Sequence, residues 1–278
     1  MEVGRDSQRD ENMPLTEHLG ELRRRIIVSL TALLVAFAVA FNYSEEIFKL
    51  IMFPLKYSLS FSMKNPYINI ISHEKISQGT KLVFLAPAEA FWMSMKVSFV
   101  AGLIPALPVI FYQLWKFISP GLMAKEKKYV LPFIISATGL FLLGAVFCFF
   151  IVLPLAMEFL LTYKLGDVLM PMLSVGQYVD FCLKFILAFG IVFELPIVII
   201  FSTRMGLVTP KTLAKNRSYA MLISFIVAAV LTPTPDAFNQ ILMAVPIIIL
   251  YEIGILISRV FVRKKSKATR NEGEDAGQ

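Results

Sequence analysis

Charge is scarce in this sequence: Asp, Glu, Lys and Arg make up 17% of it, where a soluble domain carries about a quarter. Histidine occurs only as His18 and His73, far apart, which excludes an HExxH helix and a histidine-rich metal cage. Cysteine occurs only as Cys148 and Cys182. Both lie in apolar runs without CxxC spacing, and they read as small buried hydrophobes. There is no GxxxxGK[ST] loop to cradle ATP and no GxSxG nucleophile elbow. Without a nucleophile–base pair there is no case for an enzyme. No cofactor, no metal and no solenoid-type repeat is expected.

Apolar residues are what the chain has in quantity: 57% of it is hydrophobic and the mean hydropathy is +0.70. Six stretches read as membrane spans: Ile26–Phe41, Phe91–Tyr112, Val130–Leu153, Phe181–Phe201, Ser218–Leu231 and Ile241–Ile257. Little lies between them. The expected fold is all-α, a polytopic membrane protein whose six transmembrane helices form one domain over residues 1–262. The tail RKKSKATRNEGEDAGQ, residues 263–278, reads as disordered and cytoplasmic. Two spans are short: Ser218–Leu231 covers about 21 Å as a helix and Ile241–Ile257 little more, against a core of about 30 Å. Either neighbours shield them or the bilayer is thinned beside them.

The basic residues orient the bundle. Nineteen border one side, from Arg5, Arg9 and Arg23–Arg25 to the Arg263–Arg270 cluster, and six border the other. The positive-inside rule then puts both termini in the cytoplasm. Because these charges border spans and do not line one face, the net +7 does not indicate nucleic-acid binding. The acidic tail ahead of Ile26 argues that the first span is not a cleaved signal peptide.

Four ionisable residues fall inside spans: Lys96, Lys184, Glu194 and Glu252. Both lysines sit near span ends, where a long amine can snorkel to the interface, and Glu252 is near the end of the last span. Glu194, in FGIVFELPIVII, is deep, where an ionised carboxylate costs several kcal/mol. Pro196 follows it, and Pro105, Pro108, Pro132, Pro154 and Pro246 lie in or beside other spans, each a source of bends. Bent helices suit a concave bundle with a cavity facing Glu194, and equally a kinked bundle without one. In the long segment 42–90, EEIFKLIMFPLK has an apolar face interrupted by Pro54, consistent with an interfacial helix within an external cap.

Several stretches taken in order resemble the TatC component of the twin-arginine protein translocase. MPLTEHLGELRRRI is similar to that family's N-terminal motif, with Glu21 ahead of Arg23. PVIFYQLWKFISPGLMAKEKK is similar to its first cytoplasmic loop, with Glu126 before two basic residues. FGIVFELPIV resembles the fourth span, LTPTPDAFNQ the last external turn with Asp236 and Gln240, and LYEIGILISR the final span. Met123 and Lys125 depart from the tyrosine and histidine the family often has there.

The resemblance implies a receptor for twin-arginine signal peptides in the bacterial cytoplasmic (inner) membrane. Such a protein exports folded substrates on the proton-motive force, with TatA- and TatB-type single-span partners, lipid around it and a homo-oligomer within the complex. It also implies that Glu21 and Glu126 contact the arginine pair. A carboxylate can grip a guanidinium through two parallel bonds that a lysine cannot reproduce. The residues alone equally allow two solvated charges that neutralise Arg23–Arg25 and Lys125–Lys128. Arg23 is expected to orient Glu21. Phe117 fits an interface anchor or a peptide contact, and Glu194 a docking point for a partner helix. The rival reading is a secondary transporter with Glu194 as ion or proton carrier, which the lack of matching halves argues against.

Overall fold

The computed structural model describes residues 15–61, 68–72, 81–118, 130–162, 172–232 and 236–275. The described chain is nearly all helical. Hydrocarbon offers no hydrogen-bond partners, so each apolar run satisfies its backbone internally.

Helix α1, Leu15–Phe41, begins with strong helix formers and continues as an alanine–leucine–valine run. Its end is held by Asn42, whose side-chain amide donates to the Ala38 carbonyl at 2.8 Å. Two short helices follow, α2, Ser44–Ile51, and α3, Phe53–Lys56. The break falls just before the fully buried Pro54, as the sequence suggests. A hairpin of β1, Tyr57–Phe61, and β2, Ile68–Ser72, comes next, then β3, Lys81–Val83. The membrane helices resume with α4, Glu89–Ile118, which keeps Pro105 and Pro108 inside it.

The third span is α5, Val130–Phe147, then one π-helical turn, Cys148–Val152, then α6, Leu153–Thr162. Pro154 has no N–H to give the Phe150 carbonyl, and the wider turn beside it, closed by Leu153 N–H on the Cys148 carbonyl, absorbs the mismatch. Strand β4, Met172–Ser174, leads into α7, Val175–Val192, and α8, Leu195–Arg204. The remaining helices are α9, Pro210–Lys215, α10, Arg217–Leu231, and α11, Ala237–Asp275. Five apolar helical stretches are long enough to cross a membrane and α10 is a shorter sixth, so the six expected spans are all present.

Helix α7 is the hub. Tyr178, Val179, Cys182, Phe185 and Phe189 are buried along one broad face of it, as expected of a helix packed in the middle of a bundle. The Tyr178 hydroxyl donates to the Ile51 carbonyl at 2.7 Å, which fastens the α2–α3 segment to the bundle. Both cysteines are buried in this core. Glycines set the closest approaches. A Cβ on Gly144 of α5 would lie 2.5 Å from the Phe189 carbonyl oxygen, one on Gly190 2.6 Å from the Phe141 ring, and one on Gly102 2.7 Å from the Phe37 backbone nitrogen.

Two expectations need revision. The last span is not short: its apolar part runs Ala237–Val260. The Asp236 carboxylate caps it by accepting the Asn239 N–H at 2.7 Å, so the polar residues read as a turn form its first turn instead. The helix also continues to Asp275, beyond the point where disorder is expected, through lysine, alanine, arginine and glutamate, all good helix formers. Short strands are also present; among the described residues they occur only in the connections, and the all-α architecture stands. Parallel pairing of β3 with β4 matches Lys81 to Met172, Leu82 to Leu173 and Val83 to Ser174, which joins two loops far apart in sequence.

Candidate functional site

At one end of α1 the Glu21 carboxylate is ion-paired with Arg25, not with Arg23. The reason is helical phase. Residues four apart share a face, whereas a residue two along points away; Arg25 is buried and Arg23 exposed. The other carboxylate oxygen, Glu21 Oε2, and Arg25 Nε are buried with no hydrogen-bond partner among the described residues. Alongside them an apolar groove of about 370 Å³ runs between α1 and α4; Arg25, Ile26, Leu30, Ile110, Gln113 and Phe117 are among the residues that line it. Glu126 lies outside the described residues.

Glu194 sits in the two-residue gap between α7 and α8. Its carbonyl accepts the Val198 N–H at 3.0 Å and its N–H donates to Ile191 at 3.1 Å. The expected bend at Pro196 takes the form of a two-residue turn between α7 and α8, within one apolar stretch that runs Val175–Arg204. The side chain is half-buried, and Glu194 Oε1 has no partner among the described residues. Thr138 Oγ1, on α5, is likewise buried and unpartnered. Phe141 stacks against Gly190, so Thr138 (one turn before Phe141) and Glu194 (one turn after Gly190) lie at the same level of the antiparallel α5–α7 seam. Each of these two atoms lacks a hydrogen-bond partner among the described residues.

Other polar groups form ties that the sequence did not reveal. Lys96 does not merely snorkel: its ammonium donates to both Asp180 oxygens, at 2.7 and 2.9 Å, between α4 and α7. Asp180 falls one residue outside the span read from sequence, so its partner stayed hidden. Glu252 is gripped by the Arg217 fork, with Nη2 and Nε each 2.7 Å from a carboxylate oxygen. Asp236 also holds the Asn239 amide at 2.9 Å, within the first turn of α11, and the Gln240 amide donates to the Phe225 carbonyl at 3.2 Å, which ties α11 to α10.

Glu89 is the most heavily hydrogen-bonded carboxylate described. It accepts the Leu85 N–H at 2.6 Å, the Ala86 N–H at 3.4 Å, the Gly176 N–H at 2.7 Å and the Ser174 hydroxyl. This clasp sits beside the β3–β4 pairing, and the two features together lock the connection before α4 to the one before α7. Glu89→Ala is expected to speed hydrogen exchange at residues 81–83 and 172–174 at least tenfold. Ser174→Ala, which removes one donor of four, should do so less. Equal exchange in wild type and Glu89→Ala would assign the locking to the strands alone.

Comparison with known proteins gives a consistent picture. The family model described as Sec-independent protein translocase protein (TatC) matches residues 17–246. The Sec-independent protein translocase protein TatC of Desulforapulum autotrophicum is 42% identical over 270 residues, covering 97% of this chain and 93% of the relative. That of Aquifex aeolicus is 40% identical over 256 residues, covering 92% and 98%. A crystal structure of a twin arginine translocase receptor, TatC, superposes with a TM-score of 0.73 at 38% identity, covering 87% of this chain and 98% of that one.

Proposed function

The chain belongs to the TatC family of Sec-independent protein translocase proteins, and from that premise we propose that it is the signal-peptide receptor of a twin-arginine translocase. As a family member it is a multi-pass membrane component of that translocase, a transport protein. In our reading both termini face the cytoplasm of a bacterium across its inner membrane, folded substrates are the cargo and the proton-motive force is the drive.

The observation that carries the proposal is the unpartnered Glu21 oxygen beside an apolar groove. Secretory signal peptides pair a basic segment with an apolar run of about 7–15 residues. A carboxylate with a free acceptor followed by an apolar trough complements that order. Glu21 takes one guanidinium of the pair and Glu126 the other, while Phe117 contributes to the groove lining. Arg25 holds Glu21 in place, a role the sequence suggested for Arg23. A synthetic twin-arginine peptide should bind the purified protein at least tenfold more tightly than its twin-lysine version. Equal affinity for the two would sink the proposal.

TatA- and TatB-type single-span proteins are the partners of this reading, and Glu194 is a docking point for one of them. A polar side chain on a partner helix would satisfy Glu194 Oε1, which has no partner among the described residues. Glu194→Ala should still bind the twin-arginine peptide but cross-link to the partner several-fold less during transport. Glu194→Gln, which keeps an acceptor and a donor, should retain much of the export. A proton carrier would behave oppositely, with Gln as inactive as Ala and cross-linking unchanged.

A further inference from the structure

At the far end of the α1–α4 pair from Glu21, a second groove of about 570 Å³ opens between α1, α4 and α7. Leu34, Phe37, Phe99, Leu183 and Leu187 make its walls apolar, and Lys96, Asp180 and Lys184 all line it. Lys96 lies about 10 Å along α4 from its start, and Lys184 about 13 Å along α7 from its own. Both ammoniums thus begin below the level of the helix ends, where a charge without a counter-charge is costly. Asp180 is one turn from Lys184 and would be its natural partner on the same helix, but both of its oxygens are taken by Lys96 across the interface. Lys184 is exposed to the groove and has no hydrogen-bond or ion-pair partner among the described residues. Two cations and one anion leave the groove with a net positive charge beside a wall suited to hydrocarbon. Trp92, a side chain of the kind found at headgroup level, is 57% exposed one turn above Lys96.

We infer that this groove binds an anionic phospholipid, with the phosphate on the Lys184 ammonium, supported by Lys96, and one acyl chain along the leucine and phenylalanine wall. The occupant must carry a negative charge and a long apolar part together. A free anion would leave the walls exposed, and a zwitterionic lipid would bring a second cation toward Lys184. An unpaired ammonium held below the level of the helix ends attracts an anionic headgroup by simple charge complementarity, whichever leaflet supplies it. The site is independent of the peptide groove and does not rest on the receptor reading.

The test uses the full chain, purified and exposed to mixed micelles of phosphatidylglycerol or phosphatidylcholine, with retained lipids counted by native mass spectrometry. Wild type should retain phosphatidylglycerol at least fivefold over phosphatidylcholine, and Lys184→Gln should lose most of that preference. Lys184 is exposed, so the variant should fold, and its thermal midpoint in detergent without lipid checks this. Asp180→Asn separates recognition from architecture: freeing Lys96 should preserve or raise the preference for phosphatidylglycerol. Excess inorganic phosphate should not displace the lipid. The inference is overturned if Lys184→Gln keeps the wild-type preference, if wild type has none, if Asp180→Asn abolishes it, or if free phosphate competes it away.

Discussion

Replacing Glu21 by alanine is expected to weaken binding of a twin-arginine peptide roughly 10- to 100-fold, from the loss of about 1.5–3 kcal/mol for a charge-assisted pair. Glu126→Ala should have an effect of the same order. The twin-lysine peptide should lose much less, because an ammonium makes no forked pair with either carboxylate. The ion pair seen here adds a further discrimination. Arg25→Ala removes the group that holds the Glu21 side chain and should weaken the twin-arginine peptide. Arg23→Ala, on the exposed side of the same helix, should do so much less. Isothermal titration of the four variants with the two peptides decides the matter. Equal losses for both peptides would make the glutamates structural, and a larger effect from Arg23 than from Arg25 would contradict the phase of the helix.

The largest loss of stability should follow Gly144→Leu. Even the first added carbon would lie 2.5 Å from the Phe189 carbonyl oxygen and 2.7 Å from the Phe193 ring. Backbone cannot yield as a flexible side chain can, so α5 must move away from α7. Overpacking of this kind usually costs about 1–3 kcal/mol, and more against backbone. Gly139→Leu is the control on the same helix, since nothing lies within 4 Å of its Cβ position. It should leave the thermal midpoint in detergent close to that of wild type. Gly190→Leu should resemble Gly144→Leu, and adding Phe141→Ala should restore part of its stability, because the obstruction there is the Phe141 ring. Equal midpoints for Gly139→Leu and Gly144→Leu would show that the α5–α7 seam is looser than its geometry implies.

The sequence by itself determined the kind of protein and the number of spans. Both follow from the transfer of whole segments into hydrocarbon, a sum over local residues that needs no knowledge of neighbours. It determined that Glu194 would be singular, because one carboxylate in an apolar run stands out at any resolution of argument, and that Pro54 would break the apolar face of its segment and Pro196 bend its helix, because proline acts on its own backbone. Family motifs in order also marked Glu21 and Glu126 as residues of interest.

Only the tertiary structure decided which groups meet. Lys96 with Asp180, Arg217 with Glu252, and Glu89 with Ser174 and Gly176 are all pairings across helices, and nothing in residue order specifies them. The choice of Arg25 over Arg23 depended on the phase of α1, and the length of the last span on a cap at Asp236 that the hydropathy pattern hides. The β3–β4 pairing was invisible because a three-residue parallel pair draws its stability from the helices that bring the strands together, not from its own composition. Hydrophobicity is additive along the chain and can be read from it. Ion pairs and hydrogen bonds depend on direction and distance, and those exist only once the helices have packed.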